Sequence, residues 1–176
     1  LAPTMEQLAA LSFADGLPVT RHPLLVEPDL HATVDAELSF FIGDNLHVFP
    51  VVDAGAETWP VSLVTRAGRW WPLLETSPLG EPTAEANGLS EYTVAAPVTE
   101  IPVFVRPGTA LVLLPEVVDT FYGAETDATY DGLTSYTAVD GRRGVALYPA
   151  DSGEVAVSAD LAPVVGSLSG TGFTER

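Results

Sequence analysis

Chemistry needs side chains that can carry a proton, a bond or a metal ion, and this chain offers few of them in company. Three histidines, His22, His31 and His47, are scattered with no His-x-x-x-His spacing, whereas a zinc site needs several ligands converging on one point. Cysteine is absent, which removes disulfides, thiolate ligands and a thiol nucleophile. There is no Gly-x-Ser-x-Gly elbow, and a phosphate loop ending in lysine is impossible in a chain without lysine. The run Glu125-Thr126-Asp127-Ala128-Thr129-Tyr130-Asp131-Gly132 gathers three acids beside a glycine. It lacks the alternating ligands and closing Glu of an EF-hand, so loop 125–132 reads as solvated acid rather than a calcium site. No metal and no cofactor are expected.

Acid/base work on a sugar needs two carboxylates held at a defined separation in a pocket. Among the 24 acids, Glu27 and Asp29 stand out. They follow an apolar run, Leu17–Val26, at the strand end where α/β sites collect. Charged residues opening a loop explain them equally well. Trp59, Trp70 and Trp71 fall in one predicted hairpin region. Successive side chains of a strand point to opposite faces, so Trp70 and Trp71 cannot share one core. Trp70 is expected inside. Trp71 is expected outside, as a packing surface or a sugar platform.

The elements that would position these residues change character along the chain. Residues 4–15 read as a helix: Thr4 and Gln7 fit a capping box, Met5, Leu8, Ala9 and Leu11 recur at helical spacing, and Gly16 and Pro18 end it. Leu17–Val26 is predicted as one strand covered on both faces. Leu30–Ile42 is predicted as a second helix, with Val34, Leu38 and Phe41 at i, i+4 and i+7. From Asp44 onward short strands dominate: Leu46–Val52, Ser62–Thr65, Arg69–Leu74, Tyr92–Ala95, Val103–Arg106, Ala110–Leu114, Thr134–Val139, Val145–Tyr148 and Glu154–Ser158. Turn residues separate them, including Asp53–Ala56, a hairpin signal at Arg66-Ala67-Gly68, an exposed loop over 76–90, and Asp140-Gly141. This spacing predicts an antiparallel β-sandwich. The stretch from Gly166 to Arg176 shows no periodicity.

Four segments in order resemble the C-terminal part of glycoside hydrolase family 31. Gly16-Leu17-Pro18-Val19-Thr20-Arg21-His22-Pro23 is similar to the family's Gly-x-Pro-x-x-Arg-Pro, with His22 where proline is usual. Phe40-Phe41-Ile42-Gly43-Asp44-Asn45-Leu46 through Pro50-Val51 resembles its Phe-x-x-Gly-x-x-Leu-x-x-x-Pro-Val block. Gly68-Arg69-Trp70 looks like its Gly-x-Trp hairpin. Ala96-Pro97-Val98-Thr99-Glu100-Ile101-Pro102-Val103-Phe104-Val105-Arg106-Pro107-Gly108 resembles Ala-Pro-Leu-x-x-Ile-Pro-Val-Phe-x-Arg-x-Gly, with Val98 for leucine. The likeness fades after Pro115.

This resemblance implies a mainly β chain: an antiparallel β-sandwich preceded by a helix-strand-helix piece of a (β/α)8 barrel. Residues 1–45 would be that piece, 46–118 a proximal sandwich, and 119–176 further strands and a loose tail. The family's enzymes are retaining α-glycosidases, in which one carboxylate attacks the anomeric carbon and another, typically ~5–5.5 Å away, protonates the leaving oxygen and then activates water. The Trp-x-Asp-x-Asn-Glu segment that carries the nucleophile is absent from these residues. No catalytic residue can be assigned, and Trp71, Glu27 and Asp29 are the only substrate-binding candidates. The implied partner is the upstream catalytic barrel of the same protein. The competing reading is a stand-alone carbohydrate-binding or cell-surface structural β-module.

Composition bounds the rest. The chain has 176 residues, 47% hydrophobic and 18% charged, so it has enough apolar surface to fold. Seven Arg face 24 acids, for a net charge of −17, which disfavours nucleic acid and anionic lipid as partners. No apolar run approaches the ~18–20 residues of a membrane span, so no membrane insertion is expected, while carbohydrate contact is compatible. The N-terminus Leu1-Ala2-Pro3-Thr4 lacks the basic start of a signal peptide and reads as a chain entered part-way. A secreted or cell-envelope location is favoured.

Overall fold

The computed structural model describes residues 1–30, 38–73, 75–119, 134–135, 139 and 143–155. Every strand pair in it is antiparallel, as the turn spacing predicts.

Helix α1 spans Ala2–Asp15 and stops at Gly16, whose φ of 74° is open to glycine at little cost. The expected capping box does not form. Leu1 is the N-cap and has no side-chain cap bond. The Thr4 hydroxyl instead donates to the Val112 carbonyl at 2.6 Å, tying the helix to a distant strand.

The predicted strand Leu17–Val26 shrinks to β1, Thr20–Arg21, followed by a helical turn α2, Pro23–Val26. Proline explains the break: Pro23 cannot donate to a ladder and suits the first turn of a helix. His22 caps that turn, its Nδ1 accepting from the Leu24 amide at 3.2 Å. β1 is an antiparallel edge strand paired only with β2 (Phe40–Ile42) among the described residues, not a strand with parallel neighbours. The helix predicted over Leu30–Ile42 is also corrected. Pro28–Leu30 is a 3-10 turn and Phe40–Ile42 is strand β2; residues 31–37 lie outside the described set.

Strands β3 (Leu46–Val48), β8 (Val103–Val105) and β5 (Trp71–Pro72) complete a five-stranded sheet of order β1-β2-β3-β8-β5. β4 (Thr58–Val64), β7 (Leu89–Ala95) and β6 (Ala84–Ala86) form a three-stranded sheet of order β4-β7-β6. β9 (Thr109–Leu113) and β10 (Gly144–Tyr148) pair separately.

The expected hairpin at Arg66-Ala67-Gly68 is instead a 3-10 turn, Thr65–Ala67, that carries the chain from one sheet to the other. β4 pairs with β7 and β5 pairs with β8. Part of the exposed loop predicted over 76–90 is strand β6. It turns back at Asn87 (φ 54°) and Gly88 (φ 82°), the left-handed pair that a two-residue hairpin requires. Glu154 and Val155 are not in a strand. Asp140-Gly141, loop 125–132, the tail from Gly166 and half of Thr134–Val139 lie outside the described residues.

The five-stranded sheet has two buried faces. On one, Phe41 and Phe104 meet Trp59, Val61, Leu63 and Tyr92 of the three-stranded sheet, with Trp70 at the centre. On the other, Leu46 and Val105 meet Leu111 and Tyr148 of the β9–β10 pair. That is why all of β3 is buried. It also settles the two tryptophans. Trp70 is 1% exposed in the first core, while Trp71 is only partly buried and packs on the second.

Candidate functional site

Polar side chains converge at one buried place, on the face of the five-stranded sheet that carries Trp70. Chain direction brings three segments there. The residue after α2 supplies Glu27, the 3-10 turn after β4 supplies Arg66, and the residue after β8 supplies Arg106. The Glu27 side chain is 4% exposed and each of its oxygens meets a different guanidinium. Oε2 accepts from Arg66 at 2.5 Å and Oε1 from Arg106 at 2.6 Å. Asp29, in the 3-10 turn, is exposed and touches Arg66 at 3.4 Å.

Arg106 is the hub. Its Nε donates to the Asp44 carbonyl at 3.0 Å, and its guanidinium lies 5.1 Å from the centre of the Trp70 ring and 5.9 Å from Phe41. The Asp44 carboxylate in turn pairs with the buried Arg21, whose Nε donates to the Pro18 carbonyl at 2.9 Å. The Trp70 indole N–H donates to the Val64 carbonyl at 3.1 Å, where β4 ends. Residues 18–29 are thus riveted to both sheets through charge-assisted bonds.

His47 lies behind this cluster. Its ring stacks on Phe41 at 4.0 Å and contacts Phe49 at 4.3 Å, with Nε2 3.0 Å from the Ser39 hydroxyl. Its Nδ1 is buried without a hydrogen-bond partner among the described residues. A lone pair left unpaired costs less than an N–H left unpaired, so the proton belongs on Nε2, donated to Ser39. Burial, reinforced by the positive charge of Arg106, pushes the His47 pKa down to about 3.

A folded-state pKa below the unfolded ~6.5 means that the unfolded chain binds the proton first as pH falls. Stability should therefore drop by about 2 kcal/mol between pH 7 and pH 5. Urea melts at the two pH values check this. The drop should shrink in His47→Phe, which keeps the aromatic stack and removes the titrating group.

Of the three candidates read from the sequence, the structure brings Glu27 and Asp29 to one guanidinium and puts Trp71 on the opposite face of the sheet. Both Glu27 oxygens are held by arginines, which fixes the side chain in place. The Trp71 indole N–H donates to the Pro149 carbonyl at 3.0 Å, and its ring stands edge-on to Tyr148. Sequence reasoning passed over Arg66, Arg106, the Arg21–Asp44 pair and His47. One signal was available: in a chain with only seven cations, an arginine closing the apolar strand Val103–Val105 needs a buried or paired role. Among the described residues, no group of three or more His, Asp or Glu is placed to hold a metal ion.

The arrangement can hold segments together. The model of the glycosyl hydrolase family 31 C-terminal domain matches residues 16–111, more than half of the chain. The chain belongs to glycosyl hydrolase family 31. Its match begins just after α1 and takes in Glu27, Arg66, Trp70 and Arg106.

A GH31 dextranase of Flavobacterium johnsoniae complexed with glucose is 31% identical over 65% of this chain and 13% of its own, with a TM-score of 0.53. A mutant of that dextranase complexed with isomaltotriose is 25% identical over 85% of this chain and 16% of its own, at a TM-score of 0.59. The glucosidase II alpha subunit, at 20% identity over 62% of this chain and 11% of its own and a TM-score of 0.52, shares the fold. The chain thus spans under a fifth of the length of these structures. No curated protein matches it.

Proposed function

We propose that this chain is the C-terminal, non-catalytic portion of a retaining α-glycosidase-like protein and that it packs against, and completes, an upstream catalytic barrel. The match of residues 16–111 to the family's C-terminal domain carries this reading. Since β1 and β2 share a sheet with β3, β8 and β5, and the family match starts at residue 16, the division expected at residue 45 moves within this reading: α1 belongs with the barrel and the sandwich begins at Gly16.

Helix α1 supports the reading. Apart from Glu6, Gln7 and Asp15 it is built of small and apolar residues, and a helix apolar on most sides belongs inside a larger body. One side already rests on β9 through Thr4. Met5, Phe13 and Leu17 remain exposed, Phe13 almost fully at 95%. An upstream barrel in the same polypeptide would cover them. In this reading the Arg66–Glu27–Arg106 cluster holds the segment after α2 against the two sheets, and neither Glu27 nor Asp29 takes part in proton transfer.

The dextranase relative points the assay to α-linked glucosides. The chain alone should turn over no aryl α-glucoside, whereas the gene product translated in full should. Turnover by the chain alone that vanishes in Asp29→Asn or Glu27→Gln would overturn the reading.

A further inference from the structure

The hairpin between β6 and β7 closes at Asn87 and Gly88, both exposed and both left-handed, with Ala86 paired to Leu89 on either side of them. A two-residue loop between twisted strands requires this backbone, and asparagine is one of the few residues with a side chain that adopts it readily. The turn therefore sets an asparagine directly before a glycine, the residue whose amide nitrogen is least hindered. That order has a chemical consequence. The asparagine side-chain amide is labile, and its Cγ lies within ring-closing reach of the next residue's nitrogen. When hydroxide takes the Gly88 N–H proton, the nitrogen can attack Asn87 Cγ. The N–Cγ bond forms, the Cγ–Nδ2 bond breaks, and ammonia leaves with a proton returned by water. Water then opens the cyclic imide. Opening at Cγ gives aspartate. Opening at the main-chain carbonyl gives isoaspartate, whose backbone runs through the side chain and is one methylene longer.

Asparagine occurs only at positions 45 and 87, and the structure treats the two differently. Asn45 precedes the buried Leu46, which lies in β3 between β2 and β8, and its carbonyl accepts from the Arg106 amide at 2.8 Å. The Gly88 amide, by contrast, donates to no group among the described residues. Ring closure needs rotation about the Asn87 Cα–C bond, which the closed hairpin resists, so the reaction runs through fraying of the hairpin tip. β6 suits that: it is an edge strand of three residues, exposed throughout, and such an element opens without global unfolding.

The product would be felt beyond the tip. The Gly88 carbonyl accepts from the Thr65 amide at 2.9 Å, and a Cβ on Gly88 would lie 3.2 Å from the Leu30 side chain. The tip thus touches the 3-10 turn that carries Arg66 and the 3-10 turn that carries Asp29. An added methylene in the main chain ends the two-residue geometry, shifts the Gly88 carbonyl away from Thr65 and takes β6 out of register with β7.

We infer that Asn87-Gly88 is a site of spontaneous deamidation, and that its isoaspartyl product releases β6 and the Thr65 amide while the five-stranded sheet stays intact. This is independent of the proposed function. Incubating the gene product translated in full at mildly alkaline pH, with peptide mass spectrometry and enzymatic methylation of isoaspartate at intervals, tests the chemistry. Asn87 should convert at least about ten-fold faster than Asn45, whose flanking amide opens only with the central sheet, and isoaspartate should be among the products. Hydrogen exchange on the aged protein tests the consequence. The Thr65 amide and peptides over 81–88 should exchange faster than in fresh protein, with β3 and β8 unchanged. Asn87→Gly fits the turn and has no side-chain amide, so its exchange pattern should survive the same incubation. Fresh Asn87→Asp adds the charge without the methylene and should keep Thr65 protected.

An Asn87 amide that lasts as long as that of Asn45 overturns the site. Conversion that leaves Thr65 and β6 exchange unchanged overturns the structural consequence. The same loosening in fresh Asn87→Asp, or in aged Asn87→Gly, overturns the assignment of that consequence to the longer isoaspartyl backbone.

Discussion

Replacing Arg106 with alanine should cost about 3–5 kcal/mol, the range for removing one member of a buried ion pair and leaving the other behind. Glu27 would keep only Arg66, whose side chain is 56% exposed, so that solvent screens its attraction for the buried carboxylate. The loss also removes the guanidinium over Trp70 and Phe41, and the donor to the Asp44 carbonyl. Arg106→Lys should not restore stability, because one ammonium cannot reach Glu27 and the Asp44 carbonyl while lying over a ring. Arg66→Ala should cost clearly less than Arg106→Ala. Urea unfolding of the three variants checks the order, and equal losses for Arg66→Ala and Arg106→Ala would contradict the assignment of Arg106 as hub.

Trp70→Ala should be as damaging, about 3–5 kcal/mol, the usual cost of truncating a buried large aromatic. The ring is 1% exposed and stands edge-on to Phe41 at a centroid distance of 6.4 Å. Its removal also leaves the Val64 carbonyl without the indole donor. Trp71→Ala should cost less, since that ring is only partly buried. Arg106 and Trp70 touch, so their effects should not add: Arg106→Ala should cost less in a Trp70→Ala background than in the parent. A double-mutant cycle by thermal or urea melting measures the coupling, and strict additivity would contradict the contact.

The pleat made the burial of Trp70 and its parting from Trp71 legible in advance, but Trp71, expected outside, packs on the second core instead. Two adjacent residues on a strand must part, and a sheet buried on both faces gives each its own core. The same double burial misled the reading of residues 38–42. Phe40, Phe41 and Ile42 are apolar in succession because β2 serves two cores, and with Leu38 and Val34 they imitate a helical stripe. The β6–β7 turn was readable, since Asn87-Gly88 is a strong short-range hairpin signal, but a Pro- and Gly-rich neighbourhood made it look like loop. The hairpin expected at Arg66-Ala67-Gly68 failed because strands adjacent in sequence entered different sheets, and no local signal states which sheet a strand will join. Of the charged cluster, single members were legible but their pairing was not. Glu27 lies 39 residues from Arg66 and 79 from Arg106, so their meeting depends on the completed topology.

The central claim is that residues 16 onward complete a catalytic barrel that lies before them in the same polypeptide. Truncating the gene product translated in full just before Gly16, and measuring its melting temperature and its turnover of an aryl α-glucoside beside the intact protein, tests this most directly. The account predicts that truncation removes the cooperative transition and the turnover together, since α1 would lose β9 and the barrel end would stand uncovered. A truncated protein that melts at the temperature of the intact one and keeps its full turnover would contradict it.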